Sequence, residues 1–266
     1  MANWQWAEMT SPEIKEAAVA TGGVCIVPMG VYEKHGDHLP LGTDVLCSST
    51  LAIRAADIEP AVVFPPYYFG QIVEAKHWPG AIAIKHDLMT ALLENLCEEI
   101  ARNGFKKILL LNGHGGNEAF LSLFSFRMLE CPRDFTVYTA ALSHYMSPVL
   151  DDPEWKAQMV STMDQHGGEM ETSLIMGIDA AQVKMATLSA PAAPLNRLVN
   201  LSARAPIWWY ADFPEHYAGD ATHATPEKGE FLLQRFAHRI AEIIKQVKAD
   251  TEATRLQEEF YGRVQH

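Results

Sequence analysis

The chain has 266 residues, enough for one large α/β domain or two small ones, and 48% are hydrophobic against 20% charged, an ordinary globular balance. Its 21 Lys and Arg face 33 Asp and Glu, and the resulting −12 argues against nucleic acid and anionic membranes, which need clustered cations. No apolar run is long enough for a membrane span, no signal segment is evident, and four scattered cysteines point to reduced thiols, so a cytoplasmic protein is expected.

Ser11-Pro12-Glu13 starts a predicted helix that runs through alanines to about Ala20. Residues 24 to 28 read as a buried strand that empties into PMGVYEKHGDHLPLGTD, a stretch holding Glu33, His35, Asp37, His38 and Asp44 among glycines and Pro40. A helix is expected over Leu46 to Ala56, then a short strand from Ala61 to Phe64 and a loop with His77, Trp78 and Gly80. Asp87 should cap an amphipathic helix whose apolar face is Leu88, Leu92, Leu93, Leu96 and Ile100, with Gly104 at its stop. Lys107 to Leu111 is a second apolar strand, and it too ends in a polar loop, Asn112-Gly113-His114-Gly115-Gly116-Asn117.

A helix over about 117 to 129 and a strand from Phe135 to Ala140 come next. Past residue 144 the pattern loosens until His166-Gly167-Gly168-Glu169-Met170-Glu171, where a helix opens at Glu169. Residues 190 to 224 are rich in Pro, Ala and aromatics and read as a covering loop or an oligomer contact. Thr225-Pro226 starts a last helix with Leu232, Phe236, Ile240, Ile243 and Val247 in one stripe. Strand, polar loop and helix alternate throughout, so the expected fold is α/β with a mostly parallel, covered sheet, in a single domain over residues 1–266.

Three polar clusters therefore occupy strand-to-helix positions. Glu33 and His35 alternate by two, so an extended segment turns both to one side, and Asp44 can fold back to meet them. Imidazole and carboxylate together suit zinc or manganese. The Asn-Gly-His-Gly-Gly-Asn loop matches neither glycine-rich phosphate-binding pattern. Glu169 and Glu171 have a plainer reading as first-turn acids that favour a helix dipole.

The stretches Glu33 to Asp44, His77 to Gly80, Asn112 to Asn117 and His166 to Ser173 together resemble the creatininase (creatinine amidohydrolase) family, over nearly the whole chain. The resemblance implies an α/β/α layered sandwich and a homo-oligomer, commonly a hexamer. It also implies two divalent metal ions per chain, zinc or manganese, sharing Asp44 and a water. Glu33 and His114 would hold one ion and His35 the other. Creatininase takes its last ligand from a glutamate two residues past the histidine of the N-G-H motif, where this chain has Gly116; the acid at Glu169 is assigned that place here. His166 is the candidate proton shuttle, with Glu169 beside it in the catalytic set.

The resemblance thus implies a metal-dependent amidohydrolase, in which metal-activated hydroxide attacks a small polar cyclic amide of the creatinine type. Two tryptophans that hold creatinine in creatininase fall near Tyr145 and at Thr162 here, so neither is retained. A hydrolase of a cyclic ketone such as a keto-inositol is the alternative.

Overall fold

The structure is a computed structural model and describes residues 3–264. Six strands are present among the described residues: β1 (Val24–Met29), β2 (Val62–Val63), β3 (Lys107–Asn112), β4 (Thr136–Ala140), β5 (Asp164–His166) and β6 (Ala218–Gly219). The helices are α1 (Ser11–Ala20), α2 (Thr43–Ile58), α3 (His86–Arg102), α4 (Asn117–Arg127), α5 (Leu142–Tyr145), α6 (Ser147–Leu150), α7 (Pro153–Gln158), α8 (Glu169–Asp179), α9 (Trp208–Asp212), α10 (Pro226–Ala249) and α11 (Glu252–Val264). Short 3-10 turns fill some of the connections.

β1 to β4 form one parallel sheet in the order β2-β1-β3-β4, while β5 and β6 pair antiparallel beside it. The alternation of side chains along the central strands divides the core into two layers. Val24 and Ile26 of β1 and Leu109 and Leu111 of β3 pack against α2, α8 and α10. Cys25, Val27 and Met29 with Ile108 and Leu110 pack against α1, α3 and α4. The arrangement is an α/β/α sandwich, as the continuous apolar strands require when both faces are covered.

Chain order and sheet order together fix where a site can form. From β1 the chain goes to β2 on one side and then crosses to β3 on the other, so a crevice opens between the carboxyl ends of β1 and β3. The register keeps those ends level, with Met29 opposite Asn112. The polar loops after both strands therefore meet.

Several expected elements need adjustment. α3 begins at His86, so Asp87 lies inside its first turn and the cap position is Lys85. Its buried stripe is Met89, Leu93, Cys97 and Ile100, which leaves Leu88 and Leu92 exposed. The sheet behind α3 is met by a face rotated about one residue from the most leucine-rich one. Residues 190 to 224 do contain short structure, namely α9 and β6, and a separate helix, α11, comes after the stripe of α10. At the start of α1 the Glu13 carboxylate accepts from both the amide and the hydroxyl of Thr10, each at 2.7 Å, and Pro12 occupies the second position of the helix.

Candidate metal centre

Each side chain of the centre is delivered by the end of a regular element. Glu33 and His35 sit on the loop after β1, Asp44 in the first turn of α2, His114 just beyond β3, His166 at the end of β5 and Glu171 in the first turn of α8. Glu33, His35, Asp44, His114 and His166 are all buried, and Glu171 is half-buried.

The loop that carries His114 is folded by its own asparagines. Asn112 donates to the carbonyl of His114 at 2.9 Å, its Oδ1 accepts from the His114 amide at 3.2 Å, and Asn117 donates to that same oxygen at 3.2 Å. His114 Nε2 donates to the carbonyl of Gln71 at 2.9 Å, which leaves Nδ1 as the free nitrogen. That nitrogen lies 2.8 Å from Glu33 Oε1 and 3.0 Å from Asp44 Oδ2. Both oxygens are buried and have no hydrogen-bond partner. A lone pair facing two carboxylate oxygens in a dry site requires positive charge, supplied by a further proton or by a cation.

Asp44 stands between two imidazoles, since its other oxygen is 3.1 Å from His35 Nε2. Glu33 Oε1 and Glu171 Oε2 are each 3.9 Å from the same nitrogen. Two overlapping trios, Glu33-His35-Asp44 and His35-His166-Glu171, have donor atoms close enough to hold an ion, as does a third, Glu33-His166-His216. The donor set of carboxylates and imidazoles fits zinc or manganese.

The electrostatics express the same demand. Burial disfavours charge on His35, yet Asp44 and then Glu171 raise it to about 10. Burial also opposes charge on His114, and Glu33 and Asp44 still lift it well above the usual imidazole range. Glu33 is held below the usual carboxylate range despite its burial, chiefly by the pull of His114, with the hydrogen bond to His216 adding to it. Burial raises Glu171 to about 7 against the pull of His35. His166 goes the other way: burial, then the neighbouring His35, lowers it to about 3. Its ring stacks on His35 at 4.1 Å, and its Nε2 donates to the carbonyl of Lys34 at 2.8 Å.

Glu169, expected among the ligands, is not brought to this cluster. Its carboxylate pairs with Lys228 and accepts from the amides of Val160 and Ser161, the latter at 2.6 Å. Glu171 is the acid of this turn that faces the cluster, 3.9 Å from His35 Nε2. The reason is helical: successive residues turn by about 100°, so positions two apart lie on nearly opposite faces. Gly116 leaves no room for a glutamate, because a Cβ there would sit 2.4 Å from His114 Nε2 and 2.9 Å from the Gln71 carbonyl.

Sequence reasoning missed His216. It is 1% exposed, and its Nε2 lies 2.6 Å from Glu33 Oε2. No motif surrounds it, and its only signal is position in the aromatic-rich stretch before β6. His77 and Trp78 hold that stretch down by donating to the carbonyl of Pro214 at 2.9 and 3.0 Å.

The creatininase family profile, described as creatinine amidohydrolase, matches residues 7–244. The chain belongs to the creatininase family. It is 27% identical over 248 residues to the creatinine amidohydrolase of Pseudomonas putida, covering 87% of this chain and 92% of that one. It is 30% identical over 235 residues to the mycofactocin precursor peptide peptidase of Mycolicibacterium smegmatis, with 85% of each chain covered. The 3-dehydro-scyllo-inosose hydrolase of Thermotoga maritima is 23% identical over 264 residues, or 90% of this chain and 82% of that one. Among solved structures, a manganese form of creatininase superposes with a TM-score of 0.79 at 23% identity, over 94% of this chain and 100% of that one. The protein is a creatininase-family hydrolase, and that likeness confirms the layered α/β fold.

Proposed function

We propose that this creatininase-family member is a binuclear metal hydrolase that cleaves a C–N bond in a small amide, cyclic as in creatinine. Glu33, Asp44 and His114 would hold one divalent ion, and His35, Asp44 and Glu171 the other, zinc or manganese. The observation that carries this reading is the pair of buried carboxylate oxygens without hydrogen-bond partners, on Glu33 and Asp44, that converge on Nδ1 of His114, the ring nitrogen left over from its bond to Gln71. When bound, such ions acidify water and polarise a carbonyl.

The chain's own residues do the rest. Asp44 presents one oxygen toward each imidazole, which suits a shared ligand. The Gln71 carbonyl fixes the ring of His114. The Lys34 carbonyl holds the proton of His166 on Nε2, which leaves Nδ1 as the nitrogen that would exchange a proton with the departing group.

Two of the similar proteins bear names of amide-cleaving enzymes, which supports the C–N reading. The inosose hydrolase relative supports a second reading, in which the same site opens a cyclic ketone. A homo-oligomer, a hexamer as in the family, belongs to the same proposal, and exposed Leu123 and Phe126 on α4 are suited to burial between copies.

The test is elemental analysis of protein purified without chelator and reloaded with zinc or manganese, then assays of creatinine, a short peptide amide and a keto-inositol side by side. About two ions per chain and turnover of an amide are expected. One ion or none after reloading refutes the binuclear site, and turnover of the keto-inositol alone moves the protein to the second reading.

A further inference from the structure

Glu33 is buried between two histidines that use different oxygens. Oε1 faces His114, whereas Oε2 lies 2.6 Å from His216 Nε2. The other nitrogen of His216 is 3.1 Å from the indole nitrogen of Trp209. An indole N–H only donates, so His216 Nδ1 must accept, and the proton of His216 must sit on Nε2. The direction of both bonds is thereby forced: Trp209 to His216, and His216 to Glu33.

We propose that His216, locked in this tautomer by Trp209, is a positioning residue that decides which oxygen of Glu33 is offered to a metal ion. The role rests on Glu33 being a ligand. With Oε2 engaged by an N–H, Oε1 is the oxygen left without a partner, and it is the one turned to His114 and Asp44. Rotation of the carboxylate would break a short buried hydrogen bond to a charged acceptor. His216 is therefore not itself a ligand, although its nitrogen lies within reach of an ion near Glu33 and His166. Both its ring nitrogens are already committed.

The backbone supports this assignment. His216 has φ 52, in the left-handed region that a residue with a side chain adopts only where its surroundings hold it there. Its amide is tied to the carbonyl of Phe213 at 3.1 Å, and its carbonyl accepts from Gly36 at 3.2 Å, on the loop that carries Glu33 and His35. Trp209 packs edge-on against both His216 and His166, with centroids 5.8 and 5.7 Å apart. The segment from α9 to β6 thus clamps the loop and the carboxylate together.

The experiment measures affinity for each of the two metals by chelator competition with zinc, together with the visible spectrum of the cobalt-loaded protein, in wild type, His216→Ala, His216→Gln and Trp209→Phe. His216→Ala should weaken one of the two metals about 10- to 100-fold and leave the other near wild type. His216→Gln, which keeps a donor near Glu33 but lacks an imidazole, should restore most of that loss, and Trp209→Phe should show a smaller loss at the same metal. Should His216→Ala fail to fold, the contrast between His216→Gln and Trp209→Phe carries the same prediction.

Unchanged affinities in His216→Ala and Trp209→Phe overturn the role. So does an equal loss at both metals with a lowered melting temperature, which is a structural effect. Failure of His216→Gln to recover, with a full ion missing, makes His216 a ligand instead. A wild-type protein that takes up no metal overturns the binuclear reading itself.

Discussion

At the scale of single residues, two glutamates two positions apart have separate duties. Glu171 faces His35, and Glu169 is buried with Lys228 on the far side of the same helical turn. Glu171→Gln should therefore lower metal content to about one ion per chain and remove most activity, as loss of a ligand in a two-metal site predicts. Glu169→Gln should keep its metal and lose stability by about 2 kcal/mol, because it removes the buried charged acceptor of the partly buried Lys228, which keeps only the His223 carbonyl. Elemental analysis and urea unfolding of both variants check this, and metal loss in Glu169→Gln alone would reverse the assignment. His38 gives a pH signature. Burial, then His35, lowers its imidazole to about 4, whereas the unfolded chain takes up that proton near 6.5. The folded state binds fewer protons in that interval, so stability falls as pH drops from about 6.5 to about 4, by up to about 3 kcal/mol. His38→Gln should flatten that part of the stability curve. An unchanged slope would locate acid sensitivity elsewhere.

At the scale of elements, the ends of strands and the first turns of helices deliver the donors, and the loop between β3 and α4 shows how little slack they have. The Asn112-Asn117 lattice and the Gln71 carbonyl fix His114 on both sides. Gly116→Glu, which supplies the glutamate that creatininase has at this place, should not add a ligand. Its Cβ would displace the hydrogen bond between His114 and Gln71, and a metal affinity lowered about 10- to 100-fold is expected. Tighter metal binding in that variant, measured by the same competition, would contradict the packing argument. α3 shows the opposite case, an element whose existence is legible in the sequence and whose orientation is not. Its leucines are spread around more than one face, and only contact with the sheet selects Met89, Leu93, Cys97 and Ile100 as the buried stripe.

At the scale of the molecule, the proposed centre would link metal binding to folding, because the residues assigned to it come from segments as far apart as Glu33 and Glu171, which a bound ion would tie together. Removing metal by chelation should lower the melting temperature by about 5–10 °C, from a linkage term of about 3 kcal/mol at saturating metal and the usual scaling for a chain of this size. Calorimetry with and without a chelator measures it. An identical transition in both would mean that the folded chain has no metal to lose.

Much of the architecture is written in local pattern. Apolar runs ending in glycine-rich polar loops announce parallel strands and the site at their carboxyl ends, because a strand buried on both faces has no polar alternation and its loop is where polar groups reach solvent. Glu33, His35, Asp44, His114 and His166 stand out on those grounds and through the family resemblance, and the fold brings all five together. The sequence does not decide between Glu169 and Glu171, since both are first-turn acids and only the packing of α8 against α10, where Lys228 waits, tells one face from the other. Nor does it point to His216, which is about 180 residues from Glu33 along the chain and sits in a stretch without period. Local pattern records which face of an element is apolar. Which distant polar group arrives to complete a buried charge is settled only when the layers close and each buried donor must find an acceptor.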